Sequence, residues 1–564
     1  MKIFRLASVM VLALALGGCE DLTDLDIVNQ NAPDTKRAIA TPGDVESLIG
    51  GAFLTWWNGT QKYDPSMALS ATADEGTMSW GNFAVQNLSS EPRVAYQNTQ
   101  SYNYRAVVES PWYDMYGALS AVYDGIVAIN DGLEIGTNGA DNPRALAFAK
   151  FVQGIAHGFL ASMFDQAFIF DETIDLQNDV LEMKTYGEVM TAAIGYLNEA
   201  ITIADGNTFQ LPISWINGEP LTSTELSGLA HGLIARFMTQ MARTPAERDA
   251  ADWASVVSHA DQYLAKMGRD FVPIGDGNFW WAGMKYLGQQ PIWMRSDYKT
   301  IGWTDRNPTT GAGFDRGDRT NGFTTWLTTP LDDRIHFELD TPDLRIWDGT
   351  RSGTGTQNPG LDFMWRGNPN HRPDRGTYHF SAYSHIRYID HLNSGAVGPM
   401  PHMNMEEINL LKAEGLYRQN GVTQQVVDLI NLTRVNRGGL TALTTADSPA
   451  YVLDALIYED RIETFHLASG GAFFDRRGRG PLAPTGPAFH HGPVEGTLAH
   501  FPVPAKELEI LQMPLYSFGG VGAEMGPAAA SAALPGQVRV PAGVVYQPEL
   551  SNESLGGAGQ LTRY

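Results

Sequence analysis

Past residue 19 the chain contains no cysteine. No disulfide can staple the fold, and no thiol is available there as nucleophile or metal ligand. Basic residues are scarce too: 39 Lys and Arg against 63 Asp and Glu leave a formal charge of −24. Nucleic acid phosphates are met with Lys and Arg, so an acidic body of this kind excludes nucleic acid as a partner. Anionic lipid repels it as well. No stretch after Cys19 reads as the run of about 20 apolar residues that a membrane span needs. P-loop, dinucleotide glycine fingerprint, G-x-S-x-G elbow and H-E-x-x-H are all missing. The thirteen His are scattered, and the adjacent pair His490-His491 diverges on any regular element. The sequence therefore offers no catalytic residues, no cofactor and no metal site. Carboxylates for glycoside hydrolysis abound, but that chemistry needs two at a set separation, which no motif here provides.

What is present begins at the one thiol. A basic start (Lys2, Arg5) leads into an apolar stretch from Leu6 to Leu16, then Leu16-Gly17-Gly18-Cys19. This resembles the lipobox at which lipoprotein signal peptides are cut and lipidated. The apolar run is too short to span a hydrocarbon core about 30 Å thick, so residues 1–18 read as a cleaved signal and 19–40 as a lipidated tether. Two or more acyl chains on Cys19 would hold the protein stably on a membrane. Glu20, Asp21, Asp24 and Asp26 follow at once. They resemble the export signal of surface lipoproteins in Bacteroidetes-type bacteria, and they equally suit a solvated tether.

The length suits about two to four domains, and a chain of this size buries most of its unfolded-state surface. Helical pairs are predicted over 41–267 and 401–480. Phe148, Phe151, Val152, Ile155, Phe159 and Met163 recur at the 3.6-residue period, with Gly154 and Gly158 allowing a neighbouring helix to come close. Thr185-x-x-Glu188 and Thr222-x-x-Glu225 read as capping boxes, and Thr244-Pro245-Ala246-Glu247 adds a proline at the first helical position. Asn404–Gln419 and Thr423–Arg437 form a further antiparallel pair around Asn420-Gly421. Such units suggest a tetratricopeptide-like array, although the full repeat consensus is missing.

Between 268 and 400 the helical period fades and Gly, Pro, Asn and Asp become frequent. A long irregular stretch in a compact protein tends to be functional. It holds Trp280, Trp281, Trp293, Trp303, Trp326, Trp347 and Trp365, over half of the thirteen indoles. Apolar sugar faces pack on such rings while polar groups bond the hydroxyls. Trp80 and Asn82, with Trp280, Trp281 and Trp303, are the candidate ligand contacts. The tail, 481–564, is rich in Gly, Ala and Pro and should wrap the surface.

The strongest local pattern is Ile457 to His466 followed by Phe473-Phe474-Asp475-Arg476-Arg477. Apolar residues cover much of that helix, so Glu459 and Glu463, one turn apart, should be buried. Buried charges need partners. Arg476 and Arg477 are the natural candidates, giving a structural ion-pair motif of Glu459, Arg461, Glu463, Asp475, Arg476 and Arg477.

Glu459-Asp460-Arg461 through Phe465, running into Phe474-Asp475-Arg476-Arg477, resembles the C-terminal motif of the SusD/RagB-like family of outer-membrane nutrient-uptake lipoproteins. Leu410 to Arg418 and Leu429-Ile430-Asn431-x-x-Arg434 resemble the helix pair before it. Val28 to Pro33, Ala73-Asp74-Glu75, Ser79-Trp80-Gly81-Asn82-Phe83 and His500 to Pro504 are similar to other family segments, in order. The chain departs from the pattern at Gly470-Gly471, where the family has Glu-Gly. The resemblance implies a mainly α fold, with tetratricopeptide-like helix pairs as scaffold and the irregular segment packed on one face. It also implies a non-enzymatic role: capture of an oligosaccharide or peptide at the exterior of the outer membrane, for a TonB-dependent, SusC-like transporter. A surface glycan hydrolase and a ligand-free scaffold are the rival readings.

Overall fold

The computed structural model describes residues 41–78, 81–306, 338–367, 381–480, 491–523 and 539–541. Cys19, the leader and tether, Trp80, Trp326 and most of the tail lie outside the described residues. The architecture is mainly α.

Helices α1 (Pro42–Gln61), α2 (Tyr63–Thr72), α3 (Ala106–Asn130), α4 (Asn142–Met163), α5 (Tyr186–Gly206), α6 (Ser223–Gln240) and α7 (Trp253–Lys266) make up the first region. After the irregular segment, which carries the short α8 (Ile389–Asn393), come α9 (Met405–Asn420), α10 (Gln424–Arg434), α11 (Pro449–Glu463) and α12 (Gly471–Arg477). The array is continuous. α1 packs on α3, α3 on α4, α4 on α5, α5 on α6 and α6 on α7; α7 then packs on α9, which carries α10 and α11.

Local chemistry sets the helix starts. Thr185 and Thr222 each accept the N–H three residues on, while Glu188 and Glu225 accept the N–H of Thr185 and Thr222 at 2.9 Å. Asn404 and Thr423 cap α9 and α10. Thr244 caps the short helix Pro245–Asp249, and Glu247 accepts the N–H of Arg243 instead of that of Thr244. Gly154 and Gly158 are the close-approach points: a Cβ there would lie 2.5 Å from Leu197 and 2.3 Å from the ring of Phe237. α4 corrects one sequence expectation, since by length and composition it could cross a membrane. Neighbours cover it on all sides instead, and 94% of its apolar stretch is buried.

Short antiparallel pairs pin the irregular segment. Ile274–Asp276 pairs with Val397–Pro399, closing its two ends together, and Arg295–Ser296 pairs with Gly76–Thr77 just after α2. Phe363–Trp365 pairs with Tyr383–His385. Tyr298, Ile301, Trp303, Ile346, Phe363 and Tyr383 form a second core against α9, α10 and α11.

That core encloses an ionic network with partners other than those expected. The fully buried Arg345 binds Asp343 at 2.8 Å, Glu459 at 2.6 Å and Glu463 at 2.8 Å. Glu463 also meets Arg387 and Arg437, and both of these bind Asp362. Arg476 and Arg477 point away from it. Arg476 donates to the Ala73 carbonyl and the Thr300 hydroxyl, and Arg477 to the carbonyls of Ala499 and Gln240. Asp475 pairs with Arg248 and Arg479, while Arg461 lies 4.4 Å over the Trp303 ring and donates to the His491 carbonyl. α12 starts after a reversal at Gly470, which carries Arg476 and Arg477 toward α2 and the residues near 500. Gly470 has φ 77°, and a Cβ there would lie 2.5 Å from the Phe474 ring. A Glu at this position would be strained by the positive φ and would crowd the Phe474 ring.

Candidate functional site: an aromatic rim and a cleft beside α8

Three of the predicted ligand residues are core residues. Trp280 is 6% exposed, with ring centroids 6.1 Å from Phe53 and 6.0 Å from Trp57. Trp281 is 8% exposed and Trp303 5%, the latter stacked 6.3 Å from Tyr458 in the second core. In this conformation none of the three presents a free ring face, which corrects the expectation that they are exposed. Trp80 lies outside the described residues. Asn82 is exposed at the start of a short turn, Asn82–Ala84.

The structure links Phe83, the neighbour of Asn82, to Trp281 through Tyr63. Phe83 and Ala84 both have φ 57°, a conformation that costs a non-glycine residue about 1 kcal/mol or more and persists where the surroundings impose it. It sets the Phe83 ring 5.0 Å from Tyr63, whose other neighbour is Trp281 at 4.5 Å. The Lys62 ammonium lies 4.9 Å over the Trp281 ring, and burial lowers its pKa to about 8 against the pull of Asp114 and Asp276. Below these rings sits a small methionine-rich core of Met67, Met78, Met284 and Met294 with Val85 and Leu287. Four half-buried aromatics surround it: Tyr63, Phe83, Tyr286 and Trp293. The buried thioethers pack beneath the rings and support them from below.

Tyr286 ends the turn Gly283–Tyr286, which lies close on α2 because residue 283 has no side chain. A Cβ there would come within 2.9 Å of the Ser66 hydroxyl and 3.0 Å of the Lys62 carbonyl. From Tyr286 the rim runs into a cleft of about 560 Å³. Its walls are apolar: Pro291, Met364, Ile386, Ile389 and Leu392. Strand alternation explains Met364, since Phe363 points into the second core and the next residue points out. Gln290, Asn393 and Arg366 supply polar groups at the same cleft. Burial lowers the Arg366 pKa, and its Nε is buried without a hydrogen-bond partner. One aromatic face, an apolar floor, two amides and a guanidinium can hold a ring that is apolar on its face and hydroxylated at its edge.

Sequence reasoning missed Tyr63, Phe83, Tyr286 and Arg366. Trp293 was visible among the indoles, but no periodic signal separates a half-buried ring from a buried one in an irregular segment.

No family model matches the sequence, and no curated protein does. Solved structures do match the fold. A SusD homolog from Bacteroides thetaiotaomicron is 14% identical with a TM-score of 0.53, over 84% of this chain and 98% of that one. A SusD-like carbohydrate binding protein from Bacteroides fragilis is 14% identical with a TM-score of 0.51, over 78% and 86%. A SusD superfamily protein from Bacteroides vulgatus is 12% identical with a TM-score of 0.50, over 83% and 96%. The continuous helical array, with the irregular segment docked on it, shares its fold with these three SusD-like structures.

Proposed function

We propose that this protein captures an oligosaccharide at the aromatic rim and the cleft beside α8, without chemical turnover, and passes it to a TonB-dependent, SusC-like outer-membrane transporter. The observation that carries this reading is the juxtaposition of Tyr286 with Gln290, Asn393 and Arg366 over an apolar floor. The carbohydrate-binding description of the B. fragilis neighbour supports it. Trp80 and Asn82 belong to the same proposal, Asn82 because it adjoins Phe83, whose ring meets Tyr63 of α2. Trp281, 8% exposed, backs the Tyr63 ring and does not itself face the ligand.

Aromatic packing contributes roughly 0.5–1.5 kcal/mol per ring beyond area burial. Two or three rings with hydrogen bonds give about 4–8 kcal/mol, a dissociation constant between about millimolar and micromolar. Weak binding suits a protein that hands its cargo on. Calorimetry against neutral oligosaccharides and peptides, with product analysis, tests the reading. An oligosaccharide that binds and is recovered intact supports it; a cleaved product, or binding of peptides alone, overturns it.

The location is part of the same proposal. Acylated Cys19 would hold the acidic body on the outer membrane, facing the exterior. Cys19→Ala should then leave the membrane fraction, and a variant that stays through a carbonate wash, with no transporter present, contradicts the anchor.

A further inference from the structure

In a chain of charge −24 the cleft beside α8 stands out by its sign. Arg366 lines it together with Gln290 and Asn393, and no described Asp or Glu does. Arg345 and Arg387 show the usual arrangement of a buried guanidinium in this fold. Arg345 binds Asp343, Glu459 and Glu463, and Arg387 binds Asp362 and Glu463. Against the cost of burial, those carboxylates hold both pKa values above the ordinary arginine range. Arg366 has no such support. Among the described residues no ion pair and no side-chain hydrogen bond engages it, and burial alone brings its pKa down. The residue is half-buried, and Nε is its one enclosed, unpartnered nitrogen. The two terminal nitrogens therefore open on the cleft.

The strands fix this position and place a second cation near it. Arg366 follows the strand Phe363–Trp365 and donates its N–H to the Ala382 carbonyl at 2.8 Å. Ser381, one residue earlier, donates its N–H to the Ser296 carbonyl at 3.2 Å, which puts Arg295 one strand away. Arg295 is 2% exposed, and burial followed by the Arg366 charge brings its pKa down to about 10. The two guanidiniums thus reinforce one another's positive potential at the cleft.

A charge partly withdrawn from water needs a partner. A sugar hydroxyl can accept one N–H from Arg366 but leaves the charge unbalanced. An oxyanion takes two N–H groups in the fork of an arginine and offsets the charge as well. At physiological salt, exposed charges more than about 8 Å away are largely screened. A ligand in the cleft therefore meets the cleft's own charge ahead of that of the acidic body.

We propose that the oligosaccharide taken by this cleft is acidic. A carboxylate or sulfate ester on one sugar ring pairs with the terminal nitrogens of Arg366, and the ring face lies on Met364, Ile386 and Ile389. Gln290 and Asn393 meet its hydroxyls. The inference rests on the cleft being the capture site and adds the class of sugar.

Calorimetry at pH 7 and physiological salt tests it, with each acidic probe set against its own neutral form. The pairs are tetragalacturonate and its methyl ester, a hyaluronan tetrasaccharide and its carboxyl-reduced form, and a κ-carrageenan tetrasaccharide and its desulfated form. At least one acidic probe should bind tenfold or more tightly than its neutral form. Success in either of the first two pairs identifies a carboxylate as the paired group, and success in the third a sulfate. Arg366→Gln and Asn393→Asp should each cut that preference to threefold or less, the first by removing the cation, the second by giving it a carboxylate of the protein's own. Asn393 is exposed, so its variant should melt like wild type. If no acidic probe reaches the tenfold preference, the proposal is overturned, as it is by a preference above threefold in both variants. Neutral oligosaccharides that still bind in that case leave the capture site standing, so the two readings can fail separately.

Discussion

The helical array and the segment from 268 to 400 both bury aromatic residues in a core, but by different routes. In the array, Phe53, Phe148, Phe151 and Phe159 are buried because they recur on the inner faces of α1 and α4. In the irregular segment Trp280, Trp281 and Trp303 are buried without any period, each wedged between a loop and a helix. A segment without regular backbone pairing still has to exclude water from beneath itself, and an indole does that with the fewest residues. Trp-rich loops are therefore signs of a packed loop first. Among the described rings left half-open, Tyr63, Phe83, Tyr286 and Trp293 gather around one small core at the seam between the two regions.

The sharpest way to break this comparison is to remove equivalent mass from both regions. Phe148→Ala and Trp303→Ala should each cost about 3–5 kcal/mol, because both leave a cavity in a closed core. Denaturant melts measure this, and a Trp303→Ala protein as stable as wild type would return that indole to the ligand site. Glu463→Ala should cost a similar amount, roughly 3–5 kcal/mol, by leaving Arg345, Arg387 and Arg437 with one partner fewer in the second core. Arg476→Ala should leave that network intact, because its contacts are Ala73 and Thr300; a double-mutant cycle with Glu463→Ala should show no coupling.

Smaller effects sharpen the contrast within the array. Gly158→Val puts side-chain atoms where the Phe237 ring now lies, and overpacking of that kind costs about 1–3 kcal/mol. Thr222→Ala removes one half of a capping box and should cost about 1 kcal/mol. If the two costs came out in reverse order, the close approach of α4 and α6 would not be what fixes their packing.

The caps and periods of α4, α5, α6, α9 and α10 were legible in the sequence because they are local: a hydroxyl, a carboxylate three residues on, a stripe at 3.6. The ionic network was legible only from one side. Glu459 and Glu463 announce a buried pair, but their partner Arg345 sits in an irregular stretch, where spacing carries no information about distance. Of the proposed site, the sequence pointed to the segment 268–400 and to Asn82, and gave no sign of Tyr286 or Arg366. Their role depends on α8 and the strand pair of 363–365 with 383–385, which bring distant residues into one wall.

On the proposed function the ligand is held where the array meets the irregular segment, at half-open rings beside α8, and not on the buried indoles. Calorimetry of one bound neutral oligosaccharide against wild type, Tyr286→Ala and Arg366→Ala tests it most directly. Each variant should keep the wild-type melting temperature and weaken binding tenfold or more, about 1.4 kcal/mol. Binding of the same oligosaccharide with wild-type affinity by both variants would contradict the claim.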